Sequence, residues 1–92
     1  MYTQLKNGDQ IELLVEEGRI VANKRDKTGE RVITKLNVSR DTESAYNPFC
    51  LVLSNSGFYI FWINGGSDGD EIYGRRYTAQ GLAGKIFNFK IN

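Results

Sequence analysis

Apolar residues recur at every second position along most of the chain, and short groups of Gly, Asn, Asp and Ser separate the apolar segments. A period of two is typical of β-strands, because successive side chains of a strand point to opposite faces of the sheet. Ile11, Leu13 and Val15, for example, are predicted to share one strand face, with Glu12 on the other. The pattern predicts an all-β protein in which helix is limited to one or two turns.

The predicted strands follow one another as antiparallel hairpins. They cover residues 1–6, 11–15, 20–22, 31–40, 49–53, 58–63, 71–78 and 85–91. Residues 41–48 contain the only proline and 79–84 contain two glycines, so neither segment is expected to form more than a helical turn. About seven or eight short strands in a single domain, residues 1–92, suit a small barrel or a two-layer sandwich. The sequence leaves both architectures open.

The segment from Phe58 to Ile63 is apolar at every position. Alternation divides it into two sets that point to opposite faces: Phe58, Ile60 and Trp62, and Tyr59, Phe61 and Ile63. A chain of this size can hardly bury both sets by itself. Either the fold encloses this strand on both sides, or one face is a binding surface for a second copy of the chain or for another protein.

The chain contains no histidine and a single cysteine, Cys50. These absences exclude Ser-His and Cys-His nucleophiles, a histidine base and the common zinc sites. Catalysis by the remaining Asp, Glu, Lys, Arg and Tyr residues would need a pocket that shifts their pKa values. We therefore expect a protein that binds rather than an enzyme, with no catalytic residue, cofactor or metal.

Twelve basic residues stand against eleven acidic ones, so the chain as a whole has little general attraction for nucleic acid. No apolar segment approaches the roughly 20 residues that span a bilayer, and the beginning of the sequence lacks the pattern of a signal peptide. A single cysteine forms no internal disulfide, which agrees with a reducing compartment. A cytoplasmic protein without a membrane partner is the expectation.

The segment Tyr73–Tyr77 is the clearest candidate for a contact surface. In a strand, Tyr73, Arg75 and Tyr77 project to one face and Arg76 to the other. An aromatic, cationic, aromatic row can anchor a protein partner, since Tyr and Arg are enriched at interaction hot spots, or it can stack the bases of single-stranded nucleic acid. The same row is typical of the rim of a small β core, where arginine lies across tyrosine rings.

A second candidate is the turn over residues 24–31, which has a local excess of positive charge. Its basic residues are Lys24, Arg25, Lys27 and Arg31. Basic hairpin tips contact phosphates in some proteins, but Asp26 and Glu30 interrupt this one, and a solvated loop is the simpler interpretation. A location on the same side as Tyr73–Tyr77 would favour nucleic-acid binding.

A glycine-rich loop follows Asn64 and carries carboxylates at Asp68, Asp70 and Glu71. Calcium takes about 6–8 oxygen ligands, and three carboxylates supply six only if each binds through both of its oxygens. A solvated loop is therefore favoured over a metal site, with weak cation binding left open.

Together these patterns predict a small binding module that acts through protein–protein interaction, as an accessory protein, an inhibitor or an assembly subunit. Its partner is expected to be another protein or a second copy of the chain. The predicted contact residues are Tyr73, Arg75, Arg76, Tyr77, Tyr59, Phe61, Lys24, Arg25, Lys27 and Arg31. The alternative is a small β-barrel that binds single-stranded nucleic acid through Tyr73, Arg75, Tyr77 and the turn 24–31.

Overall fold

The computed structural model describes residues 2–28, 32–39, 44–65 and 69–90 of the 92-residue chain. Its strands form two antiparallel sheets, and neighbours in each sheet are also neighbours in the chain. The first sheet contains, in order, β1 (Tyr2–Gln4), β2 (Gln10–Glu16), β3 (Arg19–Arg25) and β4 (Val32–Asn37). The second contains, in order, β5 (Ala45–Val52), β6 (Phe58–Asn64), β7 (Glu71–Tyr77) and β8 (Ala83–Lys90). The all-β prediction is confirmed.

The turn between β2 and β3 shows how local sequence sets the strand pairing. Glu17 and Gly18 both have positive φ, 52° and 75°, which is the backbone of a two-residue type I′ turn. Glycine adopts this conformation without steric strain. The turn pairs Glu16 with Arg19 and thereby fixes the register of the whole hairpin.

The core lies between the two sheets and draws on one face of each. Ile11 and Leu13 of β2 are buried at their predicted inward positions, and Phe58, Ile60 and Trp62 of β6 belong to the same buried cluster. The other members of the cluster are Leu5, Ile20, Ala22, Leu36, Val38, Ala45, Cys50 and Tyr77. Full burial of a large apolar side chain contributes roughly 1.5–3 kcal/mol, so this shared cluster holds the sheets together.

The chain passes from the first sheet to the second between β4 and β5. The buried Ser39 hydroxyl accepts a hydrogen bond of 2.7 Å from the N–H of Ile20. On the other side of the crossover, the N–H of Ala45 donates a hydrogen bond of 2.8 Å to the carbonyl oxygen of Gly18. Both ends of the crossover are therefore tied to the beginning of β3.

The structure corrects the predicted strand 49–53, since residues 45–48 were expected to form at most a helical turn, and it decides between barrel and sandwich. β5 begins at Ala45, before the apolar run at Phe49, because a β-bulge between Tyr46 and Phe49 shifts the register and accommodates Pro48 on an edge strand. Within the described residues the strands form two separate sheets that do not close into a barrel, so the architecture is a sandwich. The same residues contain no helix long and apolar enough to cross a membrane.

Candidate functional site

The two faces of β6 meet different environments. Phe58, Ile60 and Trp62 are at most 1% exposed and lie in the core. Tyr59 and Phe61 point the opposite way and are only half-buried. One apolar face of β6 therefore belongs to the core, and the other lies on the outside of the second sheet.

The outside of the second sheet is built mainly from large apolar side chains, which the strand registers place on one side. We call this surface the outer aromatic face and define it as Phe49, Leu51, Tyr59, Phe61, Ile63, Ile72 and Phe87. On edge strand β5, the side chains of Phe49 and Leu51 are 57% and 44% exposed. Contiguous exposed apolar surface of this kind marks interaction sites in folded proteins.

Three rings at the centre of the outer aromatic face contact one another. The ring centroids of Tyr59 and Phe61 are 5.7 Å apart, with 16° between the ring planes. Phe87 meets these two rings edge-on, at 6.2 and 6.3 Å. Each such pair stabilises by roughly 0.5–1.5 kcal/mol beyond the area it buries. The rings therefore hold one another in fixed orientations before any binding partner covers them.

Gly74 of β7 gives these rings the room that they need. A Cβ atom at position 74 would lie 2.8 Å from ring carbons of both Phe61 and Phe87. Glycine inside a strand normally weakens it, and it often marks a place where other groups approach the backbone closely. Here the groups that approach are the two rings, which close over β7 from either side.

Opposite charges mark the two ends of the outer aromatic face. At one end the guanidinium carbon of Arg76 lies 5.8 Å from the centroid of the Tyr59 ring. At the other end the Tyr46 hydroxyl donates a hydrogen bond of 2.8 Å to the carboxylate of Asp70, and this bond raises the pKa of Tyr46. The face is apolar in the middle, basic at one end and acidic at the other.

The outside of the first sheet has a different character. There the carboxylate of Glu12 accepts hydrogen bonds of 3.1 Å from both Asn23 and Arg25. The half-buried Leu14 and Val21 lie opposite each other beside this polar network. Mixed polar and apolar residues are typical of a sheet face that meets water. Among the side chains that the structure describes, a continuous apolar outer face is therefore found on the second sheet.

The predicted row Tyr73, Arg75 and Tyr77 lies on the inner side of β7. Tyr77 is 1% exposed and stacks on Phe58 at 5.0 Å. Burial raises the pKa of Tyr77 to about 12, although the nearby Arg75 partly offsets this effect. Tyr73 stacks on Trp62 at 6.1 Å. The two tyrosines therefore complete the core and its rim, and the buried position of Tyr77 does not fit the predicted contact role.

Arg75 connects the two sheets. Its guanidinium donates a hydrogen bond of 3.3 Å to the carbonyl oxygen of Val38, which follows β4. Its Nε donates a second hydrogen bond of 2.7 Å to the carbonyl oxygen of Gly84 in β8. These bonds give Arg75 a structural role, and its predicted contact with a phosphate or a partner stays a prediction.

Two of the four basic residues of the predicted turn, Lys24 and Arg25, are neutralised by contacts within the fold. Lys24 is only 4% exposed, and its ammonium lies 2.7 Å from the carboxylate of Asp9. Arg25 forms an ion pair of 3.1 Å with a carboxylate of β2. Lys27 is exposed, and Arg31 lies outside the described residues. The burial of Lys24 and the ion pair of Arg25 therefore do not fit a contact surface at this turn.

The structure describes two of the three carboxylates that could bind a cation weakly. Asp68 lies outside them, Asp70 binds Tyr46, and Glu71 accepts a hydrogen bond of 3.0 Å from the Tyr73 hydroxyl. Over the same part of the chain, no three acidic or cysteine side chains converge as metal ligands.

The single thiol lies in an environment that suppresses its reactivity. Cys50 is 7% exposed, and burial raises the pKa of its thiol to about 11. Because the thiolate is the nucleophilic form, the thiol of Cys50 is a poor nucleophile at neutral pH.

Three of the contact residues predicted from the sequence lie on or beside the outer aromatic face, namely Tyr59, Phe61 and Arg76. The predicted contact residues do not include Phe49, Leu51, Ile63, Ile72 and Phe87. A signal for the first two was present, because Phe49 and Leu51 alternate with Cys50 and must take the face opposite to it. Local alternation does not indicate which of these two faces is buried.

The fold and the outer aromatic face define an all-β sandwich with one exposed aromatic sheet surface. Comparison of the chain with known protein families, with curated proteins and with solved structures gives no match.

Proposed function

We propose that this chain is a small protein-binding module and that the outer aromatic face is its contact surface. The observation that carries this proposal is the exposure of Phe49 and Leu51, 57% and 44%, beside a set of interlocked rings. Removing apolar surface from water is favourable by about 25 cal/mol per Å². A partner that covers this face gains that free energy.

The composition of the face suits protein recognition. Aromatic residues and arginine are enriched among the residues that dominate binding energy, and Tyr59, Phe61 and Arg76 lie together at its centre and one end. The rings are already fixed by their mutual contacts and by the space at Gly74. Side chains that are ordered before binding lose less conformational entropy when a partner arrives, which favours affinity.

The proposal is tested by quantitative capture of binding proteins with the wild-type chain and with variants of single exposed residues. Leu51→Ser and Phe49→Ser remove apolar contact from the outer aromatic face. The matched control is Val15→Ser, since Val15 is 49% exposed and lies on the first sheet. We expect the two face variants to lose at least about tenfold in affinity, a loss of roughly 1.4 kcal/mol, and the control to bind normally.

Thermal melts of the variants establish that they remain folded. Equal binding by wild type and by both face variants would contradict the proposal, because the captured proteins would then contact some other surface.

Single-stranded nucleic acid is a second candidate, which the position of Arg76 over Tyr59 favours, since bases can stack on exposed rings beside a cation. Fluorescence anisotropy with short labelled oligonucleotides, at about 50 and 200 mM salt, distinguishes this alternative. Binding that weakens steeply with salt and disappears in Arg76→Ala and Tyr59→Ala would replace the protein-binding proposal.

A further inference from the structure

We propose that a second copy of this chain covers the outer aromatic face, so that two sandwiches pack face to face as a twofold dimer. This inference rests on the protein-binding role proposed above and names the partner for the same surface. The observation that supports this inference is the distribution of charge over the outer aromatic face.

The two charged ends of the outer aromatic face lie at equal distances along the chain from Tyr73. Asp70 directly precedes β7 and Arg76 lies within it, each three residues from Tyr73. At about 3.3 Å per residue, their backbones are roughly 20 Å apart. Both charges sit beside the outer aromatic face. Arg76 covers the Tyr59 ring, and Asp70 binds Tyr46, which pairs with Ile63 of that face.

The twofold axis lies in the interface between the two copies and runs perpendicular to the strands at the level of Tyr73. It exchanges the position of Arg76 with that of Asp70. Each β7 then runs antiparallel to its equivalent, and Arg76 of each copy faces Asp70 of the other. The opposite arrangement, with the two β7 strands parallel, would bring the two Arg76 side chains together, and like charges across an interface are unfavourable. The charge pattern is therefore complementary to itself in one orientation, as a twofold interface requires.

The area of the face suits a weakly associating dimer. Four strands at about 4.8 Å spacing, each about seven residues long, cover roughly 400–500 Å² in projection. Protruding rings raise the accessible area above the projected area, toward the roughly 800 Å² per partner of a standard interface. Two sheets packed in this way bury apolar side chains between them, as the layers of a β-sandwich do.

The test is sedimentation equilibrium of the full chain over a range of concentrations. We expect the wild-type protein to dimerise at concentrations on the order of 10–100 µM. Leu51→Ser should weaken the dimer by about tenfold or more, and Val15→Ser should leave it unchanged. A wild-type protein that is monomeric throughout this range, or a dimer that Leu51→Ser does not weaken, overturns the inference.

A charge exchange tests the orientation of the two copies. Arg76→Glu and Asp70→Arg should each weaken the dimer by about tenfold, because each places like charges across the interface. The double variant carrying both changes should recover wild-type association. Failure of the double variant to recover would overturn the antiparallel arrangement.

The two proposals fail separately. A monomeric chain whose capture of other proteins still depends on Leu51 would overturn the second copy as partner but retain the face as a protein-binding surface. Oligonucleotide binding by a monomer whose protein capture does not depend on Leu51 would overturn both.

Discussion

Arg75 of β7 donates a hydrogen bond of 3.3 Å to the carbonyl oxygen of Val38 and so connects the second sheet to the end of the first. The same side chain reaches the carbonyl oxygen of Gly84 at 2.7 Å. Val38 is fully buried, and its carbonyl needs such a partner because an unsatisfied buried polar group is costly. A residue that the sequence presents as a binding anchor is thereby used to join the layers of the fold.

Replacing Arg75 by Met retains much of the aliphatic chain and removes both hydrogen bonds. We expect the free energy of unfolding to fall by about 1–3 kcal/mol, the range typical for hydrogen bonds from charged donors. Arg76→Met is the matched control, since Arg76 is exposed, and its effect should stay within about 0.5 kcal/mol. Urea denaturation measures both values. Equal effects of the two substitutions would contradict the structural role of Arg75.

Gly74→Ala should destabilise the second sheet, because the new methyl group would lie 2.8 Å from the rings of Phe61 and Phe87. Overpacking of this kind costs about 1–3 kcal/mol. The cost should fall by at least half when Phe61 and Phe87 are both Leu, and a double-mutant cycle in urea measures this coupling. An undiminished cost in that background would mean that the rings are not what excludes a side chain at position 74.

The ion pair between Lys24 and Asp9 predicts an asymmetric pattern of stability changes. The lysine side chain is 5% exposed and that of the aspartate 19%, with 2.7 Å between the charged atoms. Asp9→Asn leaves a buried ammonium without its counter-charge and should destabilise by about 2–4 kcal/mol. The double variant Lys24→Met with Asp9→Asn should recover at least half of this loss, because no charge is then buried.

The control for that pair is Glu17→Gln. Glu17 forms an exposed pair with Arg19 at 3.7 Å, and removing an exposed pair should change stability by less than about 0.5 kcal/mol. Guanidinium denaturation measures the free energy of unfolding of both variants. Similar losses in Asp9→Asn and Glu17→Gln would contradict a buried, strongly coupled pair between Lys24 and Asp9.

The raised pKa of Tyr77 predicts a loss of stability at high pH. Burial is the main cause that raises this pKa from 10.0 to about 12, so over this interval the folded state holds a proton that the unfolded state has released. The contribution of the protonated Tyr77 phenol to the free energy of unfolding is complete below about pH 10. It is lost as the pH rises through about 12, by at most about 3 kcal/mol. Between about pH 9 and pH 11.5, the free energy of unfolding obtained from denaturation should fall less for Tyr77→Phe than for wild type. Parallel declines would contradict the prediction.

The order of strands could be predicted because alternation and turn residues are local properties of the sequence. The face of β7 that points into the core could not be predicted in this way. The two faces of this strand carry similar mixtures of residues, and the choice between them follows from pairing with β6, where Tyr77 lies opposite Phe58 and Tyr73 opposite Trp62. A register between strands is decided by the burial of both partners together, which local alternation in either strand does not contain.

Lys24 illustrates two signals in conflict. Alternation along β3 continues inward from Ile20 through Ala22 to Lys24, whereas its charge and polar neighbours predict exposure. The inward position is favourable only because Asp9, fifteen residues earlier, supplies a carboxylate at 2.7 Å. That partner is identified by the folded structure and not by spacing along the chain.

Each sheet of this fold comes from one uninterrupted half of the chain, β1–β4 from the first and β5–β8 from the second. A cut between Ser39 and Ser44 would sever none of the pairings between the described strands, since every ladder would stay within one fragment. Each separated fragment would expose an inner face whose complement is on the other. The molecule is thus suited to split-protein complementation, in which packing between its layers becomes a bimolecular equilibrium that can be titrated.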